Sequence, residues 1–222
     1  HALVRRQRQM CIRDRLNSDG TVFAAGAPNE ISNYEAGLVS IYQNSGSSWT
    51  RLGNSGDTIG NEDYEQFGYA VSLNDDGTIF AASAPSADVD FGSGLIVGVG
   101  LVRVYQYSSN SWSQLGSDVT GNTSGERLGS SQESVSISSD GYIFAVSSKN
   151  ALSYTGVVRV YQYSSASTSW SQLGSDVTGS ATNEYFGHAV SLSSDGTIFA
   201  ASSKDASSNT GLVRVYKKVT IT

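Results

Sequence analysis

Beyond residue 15 the chain has a single histidine, His188, and no cysteine. A catalytic centre needs a nucleophile or base within reach of an orienting group. No nucleophile elbow and no metal-binding histidine pair accompanies His188. It aligns with Tyr69 and Ser131 in neighbouring repeats, so it reads as a structural or surface residue at a loop-to-strand junction, and no catalytic residue is assigned. Carboxylates are the other candidates. Glu65, Glu126 and Glu184 each stand two residues before Phe67, Leu128 and Phe186, so a repeating fold would place them at equivalent points around its axis. Such a set has two chemistries open to it. The glutamates would form a ring of oxygen ligands facing a cation or a sugar, or each would accept hydrogen bonds from its own loop; the second is favoured. Asp88 and Asp90, in SADVDFG, are the nearest approach to a calcium site and read as a solvated acidic loop. Calcium there is the only cofactor left open, and no metal ligand is assigned.

Three further sets recur. Trp49, Trp112 and Trp170 each precede a Leu-Gly pair by three residues (Leu52, Leu115 and Leu173 begin the pairs), which favours packing between repeats over stacking on a sugar. Arg103, Arg159 and Arg214 recur in VRVY, where a charge on a strand near the rim would block sheet-to-sheet aggregation. Asn122-Thr123-Ser124 is the only N-glycosylation sequon, usable if the protein is secreted from a eukaryotic cell.

The elements that position these residues are short and repeated. Asp-Gly pairs at Asp19, Asp76, Asp140 and Asp195, and tyrosines at Tyr42, Tyr105, Tyr161 and Tyr216, mark four units of 55 to 64 residues. One unit is lengthened by an insertion between Asp88 and Leu101. In the last full period the β-patterned runs are SWSQLG, HAVSLS, TIFAAS and GLVRVY. The second and third are joined by Ser194-Asp195-Gly196, the chemistry of a tight hairpin. TIFAAS is small or apolar on both alternating faces, which suits a strand covered on both sides. Four-stranded units repeated without helices predict an all-β fold, a β-propeller of antiparallel blades. The blades fall near residues 16–53, 54–116, 117–174 and 175–222. The first lacks its opening strands and the last has no SWSQLG, as in a fragment of a larger propeller.

Phe67-Gly68 and Phe186-Gly187, softened to Leu128-Gly129, together with Gly26-Ala27-Pro28 and its drifted copies Ser83-Ala84-Pro85, Ser147-Ser148-Lys149 and Ser202-Ser203-Lys204, resemble the FG-GAP repeat of integrin-α-like propellers. The resemblance covers residues 16 to 218. It implies a propeller acting as an adhesion or recognition scaffold. The calcium loop of many integrin-type blades is missing, since the turns here are only LSSDG or LNDDG.

Residues 1–15 stand apart. RRQRQMCIRDR (5–15) holds five arginines and the only cysteine and methionine. It interrupts the repeat where an inner strand should be, and it resembles a translated transposase sequencing adapter, implying an assembled metagenomic or transcriptomic origin. The whole chain has 14 basic and 20 acidic residues, a net charge of -6; without residues 1–15, which hold five arginines and one aspartate, 9 face 19, or -10. A surface of that sign repels phosphate backbones and anionic lipid, so nucleic-acid partners and membrane insertion are not expected. The longest apolar run, Leu95 to Val102, is too short to cross a bilayer. Together these features predict a non-enzymatic extracellular or cell-surface scaffold, with protein or glycan partners or self-association. The alternatives are a lectin-like carbohydrate-binding module and, third, a polysaccharide-active enzyme.

Overall fold

The computed structural model describes residues 13–29, 35–53, 57–90, 92, 94–206 and 210–217. Most of the adapter-like stretch lies outside them; its end forms the first strand. Four antiparallel sheets follow one another along the chain. The first contains β1 (Arg13–Leu16), β2 (Val22–Ala27), β3 (Leu38–Asn44), β4 (Trp49–Arg51) and β5 (Thr58–Ile59). The second contains β6 (Val71–Leu73), β7 (Ile79–Ala84), β10 (Leu101–Ser108), β11 (Ser111–Gln114) and β12 (Val119–Thr120), and the insertion between β7 and β10 is a small hairpin of β8 (Val89–Asp90) and β9 (Leu95–Ile96). The third is built from β13 (Val135–Ile137), β14 (Ile143–Ser148), β15 (Val157–Ser164), β16 (Ser169–Gln172) and β17 (Val177–Thr178). The fourth is the three-stranded β18 (Val190–Leu192), β19 (Ile198–Ser203) and β20 (Leu212–Lys217). In the first three sheets the outer strand is split: β4 and β5, for example, pair successive halves of β3. Each sheet is thus a four-stranded blade with an interrupted rim, or its first three strands. The all-β propeller expectation holds.

The core lies between blades, not within them. Phe80, Ala82, Leu101, Tyr105 and Trp112 of the second blade pack on Val22, Ala24, Val39 and Ile41 of the first, while Ile79, Ala81, Val102 and Val104 of the same blade face Phe144, Val146 and Tyr161 of the third. Alternation with period two therefore buries both faces, and β7 and β14 are buried along their whole length. Each Phe-Gly or Leu-Gly corner drives a plug into one of these seams. Phe67, Leu128 and Phe186 are fully buried, an effect of about 1.5–3 kcal/mol apiece. Their backbone N–H groups bond Ala36, Val99 and Thr155 of the preceding blade. The glycine that follows has φ of +82 to +84° and touches the preceding blade: a Cβ on Gly129 would lie 2.3 Å from that of Ser83. Small residues at the Gly-Ala-Pro position exist to admit that corner.

Two tryptophans close the seams from outside. The Trp112 indole donates to the Leu52 carbonyl at 2.9 Å, and Trp170 to Leu115 at 2.7 Å, each reaching back one blade. That bond explains the tryptophan and Leu-Gly register. Trp49 is 42% exposed, and it meets Phe23 edge-on.

The arginines require a correction. Arg103 and Arg159 are 3% and 4% exposed, not rim charges. Each lies on the third strand and ion-pairs with Glu65 or Glu126 on one side and Asp118 or Asp176 on the other. Arg214 pairs with Glu184 at 2.6 Å. The guanidinium carbons of Arg103 and Arg214 also sit 5.8 and 5.2 Å above the Phe67 and Phe186 rings. The residue before each plug, Gln66, Arg127 or Tyr185, is left-handed (φ 61, 54 and 55°), a strained backbone that needs such an anchor.

Removing one partner strands a buried charge. Arg159→Met should lower unfolding free energy by about 3–5 kcal/mol in urea titration, and the double change Arg159→Met with Glu126→Gln should recover part of it. A loss below about 1 kcal/mol in the single variant would refute the anchor.

Candidate functional site

The structure places the three glutamates in the seams. Glu65, Glu126 and Glu184 are 1%, 2% and 5% exposed, and their first partners are the arginines. Own-loop backbone bonds are present too: the N–H groups of Asn122 and Ser180 donate to Glu126 and Glu184 at 2.7 and 2.5 Å. Burial holds the Glu65 carboxyl above the usual range against the pull of Arg103. For Glu184 burial acts the same way but is outweighed by Arg214, the Ser180 N–H and the Ser203 hydroxyl, and the carboxyl lies below its ordinary value. The lead-in to the inner strand is thereby fixed.

Fixing the lead-in also fixes what comes next. Strand register puts Val71, Val135 and Val190 at one position, opposite Ala82, Val146 and Ala201. The residue two before each is Tyr69, Glu133 and His188, so Glu133, not Ser131, is the counterpart of His188. The third blade reaches this point with three more residues after its plug. Ser130 and Ser131 in that bulge are each 6% exposed, and among the described residues their hydroxyls are the buried side-chain polar atoms without a hydrogen-bond partner.

Tyr69, Ser131, Gln132, Glu133, Lys149 and His188 together line a cleft of about 290 Å³ where the inner strands of three blades begin. The inner strands meet directly here, with the Val190 N–H bonded to the Glu133 carbonyl at 2.8 Å. Lys149 comes from the drifted Gly-Ala-Pro position at the end of β14. Burial lowers the His188 pKa below its ordinary value of about 6.5, helped by Lys149 and Lys204 and opposed by Asp205 and Glu133. Burial likewise lowers Lys149, with Lys204 and Arg127 adding to the effect and Asp205 opposing it. At neutral pH His188 is an unprotonated imidazole, which is a base. A base, a hydroxyl without a partner and an ammonium group in one cleft can bind a polar ligand and move a proton.

The remaining candidates are used locally. Asp88 and Asp90 accept the Gly98 and Gly92 N–H groups at 2.7 Å each, and among the described residues no three metal-ligating side chains converge. Asn122 is exposed. Among the described residues no helix is long and apolar enough to cross a membrane.

No family model matches the sequence, and no curated protein matches it. Solved structures do. A candidate 6-phosphogluconolactonase from Bacteroides uniformis superposes with a TM-score of 0.62 at 13% identity, over 95% of this chain and 51% of its own. TolB from Acinetobacter baumannii gives 0.48 at 12% (90% and 40% covered), and the periplasmic gluconolactonase of Pseudomonas aeruginosa 0.46 at 16% (81% and 46%). The chain spans about half the length of these proteins or less. The likeness is one of fold. It overturns the expectation of a non-enzymatic adhesion scaffold, because the Bacteroides uniformis protein of this fold is named as a lactonase, which is an enzyme. The cleft is not legible when position 188 is compared with its sister repeats one at a time, because the fold sets the equivalent residues of successive blades side by side.

The His188 titration is testable by proton NMR. Its pKa should lie below 6.5 and rise toward that value in Lys149→Gln. A folded-state pKa below the unfolded one means the unfolded chain binds the proton first. His188 therefore contributes stability that is present above about pH 6.5 and is lost as pH falls toward the folded value. An unshifted wild-type titration would contradict the site's electrostatics.

Proposed function

We propose that the protein is a propeller hydrolase whose axial cleft binds a sugar lactone and opens its ring. One observation carries the reading: His188, held neutral, lines the same cleft as Ser131, whose buried hydroxyl has no partner. The name of the Bacteroides uniformis neighbour supports the choice of lactone as the substrate class. In this reading His188 takes a proton from water as the water oxygen attacks the lactone carbonyl carbon. The Ser131 hydroxyl donates to the carbonyl oxygen as it becomes negative. Collapse of the adduct breaks the ring C–O bond, and His188 returns the proton to the departing oxygen, leaving a hydroxy acid. Glu133 faces His188 and favours its protonated form between the two transfers.

The Phe-Gly plug seated against Gly26 and Ser83 supports the FG-GAP resemblance at the level of packing. An extracellular setting agrees with the acidic composition and with the exposed Asn122 sequon.

Hydrolysis of glucono-δ-lactone, followed by acid release in a weakly buffered indicator assay, tests the proposal. His188→Gln should lower kcat/KM by about 100-fold or more and Ser131→Ala by about tenfold, both with unchanged melting temperature. Wild-type protein that adds nothing to the spontaneous rate would overturn it.

A further inference from the structure

Among the described residues, β20 of the fourth blade pairs with β19 alone and presents its outer edge. In the second and third blades the same edge is covered by a segment that begins with a tryptophan: β11 and β12 pair successive halves of β10, and β16 and β17 those of β15. That segment makes three kinds of contact. Its backbone supplies the ladder. Its indole N–H bonds the Leu52 or Leu115 carbonyl of the preceding blade, with the ring 3.2 or 2.9 Å from where a Cβ on Gly53 or Gly116 would stand and its edge against Phe80 or Phe144. Six residues after the tryptophan, its aspartate, Asp118 or Asp176, reaches the arginine of the third strand at 3.0 or 2.9 Å.

The receiving groups for all three contacts recur at the fourth blade. Among the described residues no donor reaches the Leu173 carbonyl, and a Cβ on Gly174 would meet nothing within 4 Å. Phe199 stacks on Tyr216 at 5.0 Å, as Phe80 and Phe144 stack on Tyr105 and Tyr161, so the ring that takes a tryptophan edge is in place. Arg214 has the Glu184 carboxylate on one side. On its other side it meets the Ser180 hydroxyl at 2.6 Å, where Arg103 and Arg159 meet an aspartate, and its side chain is 22% exposed against 4% for each of those two. A strand edge with unpaired backbone groups is a template for another chain. This one is selective, because an indole and a carboxylate must arrive on it at a fixed spacing.

We propose that β20 is a docking edge for an extended segment of another polypeptide, one that carries a tryptophan followed six residues later by an aspartate. The segment adds to the sheet as its outer strand. Its indole donates to the Leu173 carbonyl, and its aspartate takes the free side of the Arg214 guanidinium, whose planar set of donors suits a carboxylate. Main-chain bonds give the affinity and the two side chains give the choice of partner. The edge lies on the rim of the fourth blade and the cleft lies among the inner strands, so the inference does not depend on the lactone reading.

A synthetic peptide with the sequence of residues 168–178, which holds Trp170 and Asp176, is the probe. Calorimetric titration into the purified chain should show one site, and peptides carrying Trp170→Ala or Asp176→Asn should each bind at least about tenfold more weakly. Hydrogen exchange gives a second measure: the peptide should slow amide exchange in β20 more than in β10 or β15, whose outer edges are already paired. No binding, or equal affinity for all three peptides, would overturn the inference and leave the lactone reading untouched. Sedimentation of the chain alone examines a rival occupant. Dimers that the peptide does not dissociate would assign the edge to a second copy and would also overturn it.

Discussion

A buried arginine held by a glutamate from the loop before it is the contact on which the rest of this structure depends. A carboxylate and a guanidinium enclosed at 1–4% exposure, as in the Glu65–Arg103 and Glu126–Arg159 pairs, are stable there only together. Because one sits on the third strand and the other two residues ahead of the plug, their pairing forces the loop across the seam. The plug, the left-handed residue before it and the glycine after it follow from that crossing. So does the direction in which the inner strand starts, and hence the mouth of the axis.

Much of this could be read from the residues. The Asp-Gly turns, with φ of 70 to 80° at Gly20, Gly77, Gly141 and Gly196, and the doubly covered strands β7 and β14 are local signals that appear where the pattern puts them, whereas β19 in the last blade buries only its Phe199 and Ala201 face and leaves Ile198 39% exposed. The role of Arg103 was not legible. VRVY alternates as a half-exposed strand would, and nothing local says that its polar side faces a glutamate 38 residues earlier. The counterpart of His188 was hidden for a related reason. Counting from the plug pairs it with the wrong residue of the third repeat, since three extra residues intervene before β13. Only the strand register reveals Glu133 as the counterpart.

That error has a physical lesson. In a repeat protein, variation at one position is taken as tolerance, because sister copies with unrelated side chains fold alike. A propeller inverts the inference at its axis. Equivalent positions from different blades become neighbours, so a tyrosine, a glutamate and a histidine in one register form a single asymmetric group. Symmetric positions, such as the glutamates and plugs, belong to the scaffold; the positions that break symmetry are free to take up chemistry.

The tryptophans give the seams a spectroscopic identity. Trp112 and Trp170 each hold an indole N–H on the carbonyl of the preceding blade and a ring edge against a phenylalanine, while Trp49 stands 42% open to water. The first two emit from more enclosed, hydrogen-bonded settings and the third from a wet one. Intrinsic fluorescence of single-tryptophan proteins would thus resolve the order in which neighbouring blades part, turning a stack that unfolds seam by seam into one whose steps carry separate colours.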